Sequence, residues 1–273
     1  MIERVTARFG RLVFDRDAIV RAALRAYVEA ELEPIARFWY PASDCIGWTG
    51  DPKRGVIYNA DGEGNYEVVA WNEAGVVGLA YQSGQGPIEQ LGLSLDAVTR
   101  GPDDVRGAVP GLPSKLESAF VMAVGMLATG EARDDDVVYG EKLAGVGFWL
   151  HGDRAGGTLL DVRDPTRAHG AVRLAAWGLL HNGRLLPLSC ESYNPRPGWI
   201  VTNHNRAEDV PAHAAIDAVT DRALKGPTEL TPAELDTLLR PTADPERVRG
   251  AQRGLQKVGI TWPGSPEIPE EPT

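Results

Sequence analysis

The sequence GVIYNADGEGNYEVVAWNEAGVVGLAY, residues 55–81, carries the clearest β-strand signal in the chain. It contains three short apolar runs, rich in valine, tyrosine and tryptophan, at Gly55–Tyr58, Tyr66–Trp71 and Val76–Tyr81. The segments ADGEGN and NEAG between them supply residues that tolerate the backbone of tight turns. The stretch therefore predicts three antiparallel strands in a meander. Because polar and apolar residues alternate imperfectly, we expect at least part of this sheet to be covered on both faces.

A helical pattern stands on the N-terminal side of the predicted meander. Apolar residues between Ile19 and Leu32 recur at the three- and four-residue spacing of an amphipathic helix. Asp15 or Asp17 is a suitable N-cap for this helix. Pro34 is expected to end it, because proline removes a backbone donor and clashes with the preceding turn.

The middle of the chain combines a helix with a second hairpin. Ser114 and Glu117 have the spacing of a capping box, and the apolar run that follows them extends to Thr129. Strands are predicted at Gly145–His151 and Gly157–Val162, with GDRAG in the loop between them.

Residues 165–181 fit two structures. Asp164-Pro165 offers a cap and a first-turn proline for a helix, whereas Asn182-Gly183 offers the turn of a hairpin whose first strand precedes it. Four alanines within the segment favour the helix.

The C-terminal quarter is predicted to be helical. Its candidate helices are Pro211–Lys225, Pro232–Arg240 and Pro245–Val258, and Thr231 to Glu234 form a full capping box before the second of them.

These elements predict an α+β fold in a single domain over residues 1–262. In it, N-terminal, central and C-terminal helices pack against an antiparallel meander and hairpin sheet. Residues 263–273, rich in proline and glutamate, are predicted to form a tail. Trp199 and Trp262 stand in proline-rich segments, which favours their exposure. The alternative is that they are tucked against the body of the protein.

The charge balance bears on the partners. The chain has 28 lysines and arginines against 38 aspartates and glutamates, a formal net charge of −10. Nucleic-acid binding normally needs a basic face, so this charge argues against a nucleic-acid partner and favours a basic protein.

Cysteine usage and apolar patterning indicate the compartment. Cys45 and Cys190 are the only cysteines, which is typical of buried thiols in a reducing compartment. The longest apolar stretch, Ala119 to Thr129, is about half of the roughly 20 residues that span a bilayer. We therefore expect a cytoplasmic protein that has no membrane partner.

One candidate catalytic group consists of Cys190, His204 and Asp209. A thiolate nucleophile needs a nearby base and an orienting acceptor, and these residue types fall within one short region. The alternative explanation is a small residue in a strand beside an unrelated histidine. Cys45 is a second candidate thiol.

Candidate binding residues are of three kinds. Asp44 and Trp48 lie in DCIGW, a mixture typical of a small-molecule pocket. The favoured alternative is a partly buried loop that Trp48 pins against the core. The second kind comprises Asp134, Asp135 and Asp136 of an acidic loop. The third is Trp199, because exposed tryptophans in rigid loops are good interface anchors.

Motifs for metals and cofactors do not occur in the sequence: HExxH, paired CxxC and the glycine-rich phosphate loops are all missing. We therefore expect no metal and no cofactor. The leading hypothesis is an acidic cytoplasmic binding protein of the immunity or inhibitor type. The alternatives are a hydrolase or transferase that uses Cys190 or Cys45, and a small-ligand sensor.

Overall fold

The computed structural model describes residues 15–37, 45–60, 65–82, 106–130, 146–158 and 210–266. Tertiary contacts group the chain into two compact units. The sheet unit comprises Met1–Ala23 and Ser43–Pro195, and the helical unit comprises Leu24–Ala42 and Arg196–Thr273. The predicted α+β class is confirmed. The boundaries predicted at residues 262 and 263 stay a prediction.

A six-stranded antiparallel sheet forms the centre of the sheet unit, with its strands in chain order. The strands are β1 (Cys45–Gly50), β2 (Gly55–Ala60), β3 (Asn65–Asn72), β4 (Gly75–Gln82), β5 (Val146–His151) and β6 (Arg154–Gly156). The predicted meander is therefore confirmed as β2, β3 and β4, and the sheet continues on both sides of it.

Strand β1 corrects the prediction that Trp48 lies in a loop. Its glycines were the reason for the error, since Gly47 and Gly50 resemble turn residues. Gly47 pairs with Tyr58, and a Cβ at Gly47 would stand 2.9 Å from the Cε of Met126. Gly50 has φ +86° and leads the chain out of the strand. These glycines thus permit close packing and a turn at the two positions.

The second hairpin turns earlier than predicted. Strands β5 and β6 are joined by Gly152-Asp153, and His151 pairs with Arg154. Gly152 has φ +58°, which the tight turn requires. The prediction of a five-residue loop, GDRAG, was therefore wrong. Gly156 then lies opposite Trp149, where a Cβ would meet the indole ring at 2.4 Å.

One face of the sheet packs against helix α2 (Glu117–Gly130). The residues buried there include, from the sheet, Val56, Tyr58, Val68, Ala70, Val77, Leu79 and Trp149, and, from the helical side, Leu116, Ala119, Phe120 and Ala123. Each large apolar side chain buried in this way contributes about 1.5–3 kcal/mol. On the opposite face, Ile57, Val69 and Trp71 are also buried, so the expectation that both faces are covered is confirmed.

Helix α2 does not begin with the predicted capping box. Ser114–Leu116 form a 3-10 turn whose N-cap is Pro113, and no side chain caps it. The Glu117 carboxylate instead accepts hydrogen bonds of 2.6 and 2.8 Å from the guanidinium of Arg106. The charged arginine attracts Glu117 away from the backbone donor that a capping box would need.

Helix α1 (Arg16–Leu32) contributes residues to both units. Asp15 caps it, because its Oδ1 accepts from the backbone N–H of Asp17 at 2.9 Å. The helix gives way to a 3-10 turn at Glu33–Ile35, which contains Pro34, as predicted.

The helical unit contains the three predicted C-terminal helices. They are α3 (Val210–Ala223), α4 (Pro232–Leu238) and α5 (Pro245–Gln256). Two short parallel strands, β7 (Thr228–Glu229) and β8 (Ile260–Thr261), join this unit. The predicted capping box of α4 is confirmed, with Thr231 and Glu234 bonded reciprocally.

Trp262 is buried in the helical unit, so burial is the correct one of the two alternatives given for it. Only 6% of its surface is exposed. The hydroxyl of Ser265 donates to the Trp262 carbonyl at 2.7 Å and accepts from the backbone N–H of Trp262 at 3.0 Å. Burying a large indole is strongly favourable, and the proline-rich sequence is ordered around it here. The predicted structures at 165–181 lie outside the described residues.

Candidate functional site

Trp48 is the only predicted binding residue that the structure describes with its side chain. It is buried in β1, its Nε1 donates to the Gly50 carbonyl at 2.9 Å, and its ring lies 5.0 Å from that of Trp71. Trp71 Nε1 in turn donates to the Asp51 carbonyl at 2.9 Å. These contacts hold the turn between β1 and β2, and a role of Trp48 in ligand binding stays a prediction.

The remaining predicted site residues lie outside the described residues, and the structure does not bring them together or separate them. They are Cys190, His204, Asp209, Asp44, Asp134, Asp135, Asp136 and Trp199. Cys45 is placed only through its backbone, in β1 opposite Ala60. The Cys/His alternative therefore also stays a prediction.

The helical unit contains a group of ionisable side chains that the sequence analysis missed, which we name the Arg25 cluster. It consists of Arg25 and Glu29 on α1, and His213 and Asp217 on α3. Arg25 donates to Glu29 and, through Nε, to Asp217 Oδ1 at 2.9 Å. His213 Nδ1 lies 3.5 Å from both the Arg25 guanidinium and the Glu29 carboxylate. The Arg25 and Glu29 side chains are only 7% and 2% exposed.

The electrostatics of this cluster favour a charged arginine. Burial opposes the charged form of Arg25, but the carboxylates of Glu29 and Asp217 outweigh it and raise the pKa of Arg25. The contacts of this balanced, buried charge connect the two helices, and removing one partner of such a charge is costly. We therefore assign the cluster a structural role at the contact between α1 and α3.

A second contact joins α1 to α5. The hydroxyl of Tyr27 donates to the Gly254 carbonyl at 3.0 Å, and Glu31 lies one turn after Tyr27. Burial, followed by the neighbouring carboxyl of Glu31, raises the pKa of Tyr27. Burial also raises the pKa of Glu31, although Tyr27 and the ammonium of Lys257 act in the opposite direction. The Glu31 carboxyl, whose pKa is raised, thus lies against α5 at Gly254.

Three exposed basic residues lie along one side of α5 and at its C-terminal end. Arg249, Arg253 and Lys257 are exposed and follow one another at four-residue spacing, so each lies about 40° around the helix from the last and about 6 Å along its axis. We name these three residues the basic ridge. In the part of the chain that the structure describes, no carboxylate forms an ion pair with Arg249 or Arg253.

Both features left a signal in the sequence. Arg25–Glu29 and His213–Asp217 each have the four-residue spacing of neighbours on a helix, but nothing local indicates that one pair meets the other. The basic ridge was missed because its members are four residues apart in the chain and become neighbours only on the surface of the helix.

Comparisons with known proteins do not assign the chain to a family. No protein-family model matches it, and comparison with curated proteins and with solved structures gives no match either. Among the described residues, no three histidines, cysteines, aspartates or glutamates are grouped as metal ligands. None of the described helices is both long and apolar enough to cross a membrane.

Proposed function

We propose that this protein acts by binding a basic protein partner, in the manner of an immunity or inhibitor protein, and that acidic segments of the chain make the contact. The observation that carries the proposal is the uneven distribution of charge along the chain. Acidic and basic side chains nearly balance among the described residues, so most of the net charge of −10 comes from the other segments. The segment EARDDD at 131–136 is the most acidic of them in the interior of the sequence.

A short segment with several acidic residues, such as 131–136, favours association with an oppositely charged surface. Complementary potentials raise the association rate and suppress wrong partners, with a range of about 8 Å at physiological salt. The described polar groups of the Arg25 cluster, by contrast, are engaged in holding helices together. The charges of the Arg25 cluster thus have a structural role, whereas most of the excess negative charge belongs to other segments of the chain. This difference supports a role in protein contact.

The test uses the full chain and its partner. Tagged protein is used at low salt to capture partners from cells of its source, and the captured protein is then purified and titrated by calorimetry. We expect a partner with a pI above about 8, whose affinity falls about tenfold in the variant D134N/D135N/D136N and also falls with added salt.

A matched variant separates segment-specific contact from net charge. E73Q/D153N/D236N removes three negative charges from exposed positions elsewhere in the described structure. We expect it to change the affinity less than twofold. Tight binding that is insensitive to the 134–136 substitutions would contradict the proposal, as would equal losses in the two triple variants.

A further inference from the structure

The described chain ends against helix α5. After the buried Trp262, the Ser265 turn reverses the chain, and the carbonyl of Pro266 accepts a hydrogen bond of 2.7 Å from Gln256 Nε2. The Oε1 of the same Gln256 is buried and has no hydrogen-bond partner among the described residues, which leaves an acceptor for a backbone N–H. Gln256 is adjacent in the chain to Lys257 of the basic ridge.

The sequence that follows has the complementary charge. Residues 267–273, EIPEEPT, lie outside the described residues, and they include three glutamates and no basic residue. Glu267 and Glu271 are four residues apart, which is about 13–14 Å of extended chain. The basic ridge from Arg249 to Lys257 is about 12 Å long. The lengths and the number of charges therefore match.

We propose that the acidic segment 267–273 binds the basic ridge of α5 within the same molecule and shields it from other anions. Each exposed ion pair contributes only about 0.2–1 kcal/mol. The segment begins next to the ridge, however, and a short connection gives an effective concentration in the millimolar range. A separate acidic protein or nucleic acid would need to supply that concentration itself and would also meet a molecule that is net negative.

Chemical modification of arginine tests this in the intact protein. Phenylglyoxal reacts with accessible guanidinium groups, and peptide mass spectrometry then gives a rate for each arginine. Arg247 is the internal control: it is exposed, lies on the same helix, and is 200° around the axis from Arg249. The variant E267Q/E270Q/E271Q removes the charge of the segment without altering a described residue.

We expect Arg249 and Arg253 to react about threefold faster in the triple variant than in the wild-type protein, and Arg247 to react equally in both. Salt at about 0.5 M should have the same effect on the wild-type protein as the substitutions, because it screens the pairs. Equal rates for Arg249 and Arg253 in the two proteins would overturn the proposal. Slow rates in both that rise on dilution would also overturn it, since a second copy would then cover the ridge.

Discussion

The carboxylate of Glu31 lies directly against the backbone of Gly254. A methyl group at Gly254 would stand 1.9 Å from Glu31 Oε2 and 2.2 Å from its Cδ, closer than any real contact. Gly250, one turn earlier on the same helix, faces open space, with no heavy atom within 4 Å of a methyl group there. The two glycines of α5 therefore differ in what a side chain would meet, although both have a helical backbone.

This difference predicts opposite effects of the same substitution. Gly250→Ala should raise the free energy of unfolding by about 0.5–1 kcal/mol, because alanine favours the helix and nothing opposes it. Gly254→Ala should lower it by about 1 kcal/mol, since overpacking costs more than the gain in helix propensity. Urea unfolding of the two variants measures both values.

Removing the carboxylate provides the control. In a Glu31→Ala background the space above Gly254 is open, so Gly254→Ala should become stabilising, as Gly250→Ala is. If Gly254→Ala remained destabilising in that background, the contact with Glu31 would not be the cause.

The pH dependence of stability is a second prediction. Because burial raises the pKa of Glu31, the folded protein favours the neutral carboxyl. The unfolded chain ionises near the ordinary value of about 4.3, so this group costs stability as the pH rises through that value, until the raised pKa is passed. Glu31→Gln should therefore gain stability relative to the wild-type protein as the pH rises from about 4 to 7, measured by urea unfolding at each pH.

Glu234 provides a comparison of the opposite sign. Burial acts to raise its pKa, but the bonds from Arg222 and Thr231 outweigh burial, and the net shift is downward. Its contribution to stability is present above the unfolded pKa and is lost as the pH falls. Glu234→Gln should thus lose stability relative to the wild-type protein as the pH rises from about 2 to 5, because the carboxylate ionises in the folded protein before it does in the unfolded chain. A gain in stability over that interval would refute the assignment.

The Arg25 cluster gives a third prediction. Arg25→Met leaves the Glu29 carboxylate, which is 2% exposed, without the charge that balances it, and should cost about 3 kcal/mol of unfolding free energy. The double variant R25M/E29M removes both charges and should recover all but about 1 kcal/mol of the wild-type value.

An exposed pair serves as the reference for that measurement. Arg106 and Glu117 are 44% and 46% exposed in their side chains. Arg106→Ala should cost less than about 1 kcal/mol, as exposed ion pairs usually do. Similar costs for Arg25→Met and Arg106→Ala would show that burial does not matter at the cluster.

Thiol reactivity distinguishes protein binding from Cys/His catalysis. If the protein acts by contact alone, iodoacetamide at about pH 6.5 should modify Cys45 and Cys190 of the native protein no faster than it modifies them after unfolding. Rapid modification of native Cys190 that is abolished by His204→Ala would favour the catalytic alternative. Mass spectrometry of native and unfolded samples gives the result.

The sequence predicted those elements whose signals are local. The meander, the three C-terminal helices and the capping box at Thr231 each depend on residues a few positions apart. Strand β1 was missed and the burial of Trp262 was left open, because Gly47 and Trp262 are explained only by what packs against them. Local chemistry does not specify those neighbours.

The Arg25 cluster shows the same limit for a candidate site. Arg25 and Asp217 are 192 residues apart in the chain, and no sequence pattern near either residue indicates that the other is its partner. The four-residue spacing of Arg249 and Arg253 would have placed them on one face of the predicted helix, so that part of the surface could have been found from the sequence.

The pairing of β4 with β5 joins residues that are far apart in the chain. Strands β1 to β4 are joined by consecutive hairpins, so each pairs with its neighbour in the chain. Val76 of β4, by contrast, pairs with Leu150 of β5 across a long connection that contains α2. Loop closure costs entropy that grows with length, so we expect the first four strands to form early and β5 late. In pulse-labelled hydrogen exchange during refolding, the amide of Ile57 should gain protection before that of Phe148, and simultaneous protection would show that the sheet nucleates as a whole.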